Sequence, residues 1–154
     1  MKTQVNRLES VTPAEGMVLE IHYTGGQTVR VDFSDLPERY AVFADLRNPD
    51  CFNAAVITDW GHTLEWPNGE GLDADRIMEM ALTQAGRQDT LEFRRWQERN
   101  HLSLNAAADA IGLTRRTVSQ YRTGARPVPR TVALACKGWE AEQKPGGAVT
   151  KFAG

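Results

Sequence analysis

Between Met17 and Phe33 apolar and polar residues alternate. Leu19, Ile21 and Tyr23 are separated by Glu20 and His22; after a break, Val29, Val31 and Phe33 are separated by Arg30 and Asp32. A period of two puts alternate side chains on one face, so this stretch predicts a β-hairpin with an apolar side. Gly25-Gly26 supplies the positive φ angles of a two-residue turn. "FNAAVIT" (52–58) and "HTLEW" (62–66) predict a second strand pair bent at Asp59, Trp60 and Gly61, and "PNG" (67–69) predicts the end of the sheet. The period then changes. Ala74, Ile77, Met78 and Ala81 stand at i, i+3, i+4 and i+7 behind Asp73, a helix with its N-cap and one apolar stripe. Such a helix covers the open face of a sheet, so residues 1–82 predict a small α+β domain.

The polar segment 83–89 predicts a linker. Residues 90–142 then follow a helical period throughout. Leu91, Phe93 and Trp96 mark the core side of a first helix, about 90–100. Ser103 caps a second, with Leu104, Ala107, Ala108 and Ile111 at i, i+3, i+4 and i+7 and Gly112 just past its end. Thr114 caps a third, which turns Val118 and Tyr121 inward and closes at Gly124. Two short helices joined by a tight glycine-containing turn have the helix-turn-helix layout, so this half predicts an all-α helix-turn-helix domain. Pro127 and Pro129 stiffen the next connection, and Val132, Ala135, Cys136 and Trp139 form the stripe of a last helix. Residues 143–154 predict a flexible tail.

Composition adds a compartment and little else. With 41% hydrophobic and 25% charged residues the chain has the make-up of a globular protein. It has no apolar run long enough for a membrane span, and "MKTQVNRLES" lacks the apolar centre of a signal peptide. Cys51 and Cys136 have neither CxxC nor His spacing, so two reduced thiols in a cytoplasmic protein are expected. Charge changes the picture more. Residues 1–86 hold 6 Lys/Arg against 14 Asp/Glu, and residues 87–130 hold 9 Arg against 4 Asp/Glu. An acidic half joined to a basic half predicts two modules with different partners, the basic one suited to a polyanion.

No catalytic or metal-binding pattern accompanies this. His22 and His62 lack carboxylates at a ligand spacing, "DADR" (73–76) lacks the rest of a calcium loop, and neither a phosphate loop nor a nucleophile elbow is present. The expectation is a non-enzyme without metal or cofactor. The third helix of the basic half is different. Arg115 and Arg116 are its first residues and Gln120 follows a turn later, all away from Val118 and Tyr121. In a helix-turn-helix the outward face of the second helix enters the DNA major groove, its first residues nearest the base edges. Arg bonds bidentately to guanine and Gln to adenine, so Arg115, Arg116 and Gln120 are the expected base contacts, with Thr114, Thr117 and Ser119 as further candidates. Arg122, Arg126 and Arg130 flank that helix and suit phosphates, which set register without reading sequence.

"FRRWQERNHLSLNAAADAIGLTRRTVSQYRTGARPVPRTVALAC" resembles the Cro/XRE-type, lambda-repressor-like helix-turn-helix over about residues 90–140. The resemblance implies a transcriptional regulator that binds double-stranded DNA, with base contacts from the first, second and sixth residues after the cap: Arg115, Arg116 and Gln120. Many members hold a phosphate with a Gln where Leu104 stands here; Ser103 and Asn105 are the substitutes at hand. "VDFSDL", "VFADLRNPDCFNAAVI" and "LEWPNGEGLDADRI" resemble a widespread bacterial family known only by a domain-of-unknown-function label, over roughly residues 5–82. That resemblance implies an α+β fold and, in some members, genomic pairing with toxin genes. Two functions follow as expectations: a regulator that dimerises, or binds an effector or partner, through its acidic half, and an antitoxin that neutralises a partner toxin and regulates its own operon. In either case a homodimer on a two-fold site is expected.

Overall fold

The computed structural model describes residues 7–143. They form two compact units, one ending at Gly86 and the other beginning at Arg87.

The first unit holds two three-stranded antiparallel sheets. In one, β1 (Leu8–Pro13), β2 (Val18–Tyr23) and β3 (Thr28–Asp32) lie in sequence order. The alternation that predicted β2 and β3 places Leu19, Ile21, Tyr23, Val31 and Phe33 in the core. β1 had no comparable signal. In "LESVTP" only Leu8 is buried, and a register shift between Leu8 and Ser10 breaks the period.

The second sheet is β4 (Val56–Thr58), β5 (Thr63–Glu65) and β6 (Gly71–Asp73). Two expectations are corrected here. The strand predicted from Phe52 starts only at Val56, because Asn48 caps and Pro49 opens a short helix that runs through Phe52. "PNG" does not end the sheet but turns it into β6.

That turn also corrects the hairpin at Gly25-Gly26. At Trp66 the amide donates to the Glu70 carbonyl and the Gly69 amide to the Trp66 carbonyl; at Tyr23 the same pair of bonds joins Gln27 and Gly26. Both hairpins therefore close with a three-residue loop whose last residue is a left-handed glycine, Gly69 at φ 89° and Gly26 at φ 93°. Gly25 keeps an ordinary φ.

Between β3 and β4 the chain makes a short helix α1 (Leu36–Arg39), a 3-10 segment (Ala41–Arg47) and the helix α2 (Pro49–Phe52). This run supplies Phe43, Leu46 and Phe52 to an aromatic core with Phe33 and Trp66, the rings 5.7–6.3 Å apart. The Trp66 indole N–H donates to the Phe52 carbonyl at 3.1 Å. The covering helix α3 (Ala74–Gln84) is capped by Asp73, whose carboxylate accepts from the Arg76 amide at 2.7 Å. It packs on β3 with Ala74, Ile77, Met78 and Ala81 buried. Gln84 at its end bonds both the N–H and the C=O of Asp32, pairing the edge of β3 as another strand would.

The second unit contains α4 (Gln88–Arg99), α5 (Leu104–Ile111), α6 (Arg115–Thr123) and α7 (Arg130–Gln143). The linker expected at 83–89 is thus shorter, since Thr83 and Gln84 still belong to α3 while Gln88 and Asp89 already belong to α4. One core joins Phe93, Trp96, Leu104, Ala107, Ala108, Val118, Tyr121 and Cys136. On α7 the packed residues are Val132, Cys136 and Trp139, whereas Ala135, at the margin of the predicted stripe, is exposed. Gln143 ends α7, and the rest of the expected tail, 144–154, lies outside the described residues.

Candidate nucleic-acid interface

α5 and α6 are joined by Gly112, Leu113 and Thr114. Gly112 takes φ 72°, and its amide and that of Leu113 return to the Ala108 carbonyl, which stops α5 in one step. Ser103 caps α5 through the Ala106 amide at 3.0 Å, and Thr114 caps α6 through the Thr117 amide at 3.1 Å. Val118 and Tyr121, 0% and 4% exposed, hold α6 to the core.

The far end of α6 is anchored by arginines. Arg94, itself buried, donates to the Arg122 carbonyl at 2.9 Å, and Arg87 donates to the Gly124 carbonyl at 3.0 Å. Two cations thus meet the negative end of the helix dipole and bond its last free carbonyls. Arg122 turns back onto α4, bonding Gln97 at 3.0 Å and pairing with Glu98 at 3.6 Å. It braces α6 rather than standing free for a phosphate, a correction to the expectation for that residue. Arg87 also pairs with Asp89, and the Asp89 carboxylate accepts the Val128 amide at 2.8 Å. The Arg87 side-chain bond, with the Val128 and Thr90 amides, holds Asp89 below its ordinary pKa of 3.8 despite partial burial.

Of the nine arginines in this half, Arg87, Arg94, Arg99 and Arg122 are therefore engaged within the unit, Arg99 through a bidentate pair with Glu140. Counting charge along the chain could not separate these from the exposed ones, because the distinction is made by tertiary partners.

Arg115 and Arg116 are exposed, and no ion pair holds either among the described residues. Arg116 and Gln120, at i and i+4, lie along the line of α6 opposite Val118 and Tyr121, and Arg115 and Ser119 flank it. Gln120 and Ser119 are half-buried. The Thr114 and Thr117 hydroxyls are 3.0 Å apart and bonded to each other. Asn105 is exposed one residue into α5, and Arg130 is exposed at the first residue of α7. Arg126 neither points away nor pairs with an acid: its guanidinium lies 5.7 Å from the Tyr121 ring centroid and donates to Gln120 at 3.4 Å.

α6 has no carboxylate, and neither α5, α6 nor α7 has an acidic residue in its first turn, whereas α1 to α4 each have one. No carboxylate in its own first turn offsets the positive end of any of these three dipoles, and α6 and α7 add arginines to theirs. Such an arrangement costs a few tenths of a kcal/mol per charge and is relieved by an anion.

Elsewhere the described residues gather no group of three or more His, Cys, Asp or Glu that could hold a metal, and no helix among them is long and apolar enough to cross a membrane. A hollow of about 350 Å³ between α4 and α7 is lined by Trp96, Cys136 and Lys137, with the Arg99–Glu140 pair at its wall.

Two units, one of small antiparallel sheets with a covering helix and one of helices, make this an α+β protein. Residues 8–82 match the model of the DUF2442 family, described as a protein of unknown function. The crystal structure of a Nitrosomonas europaea ATCC 19718 protein, described as a "putative DNA binding protein", is similar over 94% of this chain and 93% of its own, with 33% identity and a TM-score of 0.65. That similarity spans both units. No curated protein matches the chain.

Proposed function

We propose that the chain is a sequence-reading DNA-binding protein, a bacterial transcriptional regulator whose α5–turn–α6 pair acts as a helix-turn-helix of the Cro/XRE type. The observation that carries this reading is the outward face of α6. Arg115 and Arg116 are exposed there, α6 has no carboxylate, and its rear and C-terminal end are fixed by Val118, Tyr121, Arg94 and Arg87. A recognition helix needs this combination: donors presented at its first turn and an orientation that does not have to be ordered on binding. The description of the Nitrosomonas relative supports the same reading.

In this scheme Arg115, Arg116 and Gln120 meet base edges, while Arg130, Asn105 and the free amides at the start of α5 meet phosphates. The acidic first unit is repelled by phosphates and serves dimerisation or a protein partner. One observation favours a protein partner such as a toxin: Trp60, in a left-handed turn at φ 58°, is 88% exposed.

A fluorescent random-sequence duplex titrated with the full chain from 50 to 300 mM salt tests the DNA reading. Affinity should fall linearly on a log–log plot, with a slope of about −0.9 per phosphate contacted. Absence of binding at the lowest salt would refute it.

A further inference from the structure

Resting on the DNA reading above, we infer that Arg126 is a positioning residue that sets which base Gln120 reads. The left-handed Gly124, φ 82°, sends the chain back along the end of α6 and brings Arg126 beside Gln120. The two residues are joined twice. The Arg126 amide donates to the Gln120 carbonyl at 3.2 Å, and its guanidinium donates to Gln120 Oε1 at 3.4 Å. The Tyr121 ring, 5.7 Å below, holds the guanidinium in place by a cation–π contact.

A guanidinium has donors and no acceptor, so the amide of Gln120 must turn its oxygen towards Arg126. What Gln120 then offers to a groove is its Nε2 amino group, with the remaining Arg126 N–H groups beside it. This is an array of donors. Adenine presents N7 as an acceptor but N6 as a donor, and a free glutamine matches both with its two ends. Guanine presents two acceptors, O6 and N7, and matches the paired array instead. The isolated side chain favours adenine; held by Arg126 it favours guanine.

The test is selection from a random-sequence duplex library with the full chain, comparing wild type, Arg126→Met and Gln120→Ala/Arg126→Met. Arg126 is exposed, and Met keeps an aliphatic stem over the Tyr121 ring while removing every donor. The wild type should enrich guanine at one half-site position. Arg126→Met should shift the guanine-to-adenine ratio there on the order of tenfold towards adenine and leave other positions unchanged. The double variant should show neither preference at that position. An unchanged site bound more weakly throughout would make Arg126 a phosphate contact and overturn this inference alone. Loss of guanine without a gain of adenine would overturn it too. A wild type that enriches no site would overturn the DNA reading and this inference with it.

Discussion

Two glycines show how the cost of adding one methyl group depends on its surroundings. Gly112, between α5 and α6, and Gly61, before β5, both have positive φ, at 72° and 89°. A Cβ at Gly112 would meet nothing within 4 Å, so Gly112→Ala should cost only backbone strain, about 1–2 kcal/mol. A Cβ at Gly61 would lie 2.9 Å from the Leu8 carbonyl oxygen, so Gly61→Ala adds a clash with backbone and should cost more, about 3 kcal/mol or above. Urea unfolding of each variant, followed by tryptophan fluorescence, gives the order directly. Equal costs would mean that β1 is not seated against Gly61 as described. Thiol chemistry offers a second comparison at this scale. Burial first, and then the nearby Glu140, push the Cys136 thiol up to about 12, while Cys51 is half-buried. At pH 8 a thiol reagent should label Cys51 in the native protein and Cys136 only when the helical unit opens. Prompt labelling of both would contradict the packing of α7.

Among the elements, the Asp89 network holds the start of α4 to the chain before α7. The folded Asp89 carboxyl titrates below its ordinary range because Arg87 and two amides favour the charged form. A group with a lowered folded pKa stabilises the native state above the unfolded pKa and loses that contribution as pH falls through the folded value. Asp89→Asn should therefore cost about 1–3 kcal/mol at neutral pH and flatten the acid side of the stability curve below about pH 4. Parallel acid limbs in wild type and variant would show that the network does not couple to folding. The same element scale explains what could be read from the residues alone. β2, β3, α3, α5 and α6 each bury one face, so their periods appear in the sequence, and their caps at Asp73, Ser103 and Thr114 and their stop at Gly112 are local chemistry. β1, β6 and the short helices around Phe43 have too few residues or too irregular a register for a period to emerge. The outward arginines of α6 follow from helix geometry once Val118 and Tyr121 are placed inside. The inward turn of Arg122 and the grip of Arg126 on Gln120 depend on neighbours distant in the chain or across a loop, which no local pattern records.

Across the whole molecule, charge is divided between the two units, and four of the basic unit's arginines are spent on its own carbonyls and acids. Of the five that remain, Arg115, Arg116 and Arg130 stand at the first turns of α6 and α7, where the helix dipoles are also positive. The proposed function stands on that concentration rather than on net charge, which is −2 for the whole chain. It is tested most directly by a genomic-fragment binding selection at two salt concentrations, with the wild type and an Arg115→Ala/Arg116→Ala double variant. The account predicts an enriched two-fold site with half-sites about 34 Å apart, retained at the higher salt by the wild type and lost by the variant. Enrichment of the same site by both proteins would show that the first turn of α6 reads no bases and contradict the central claim.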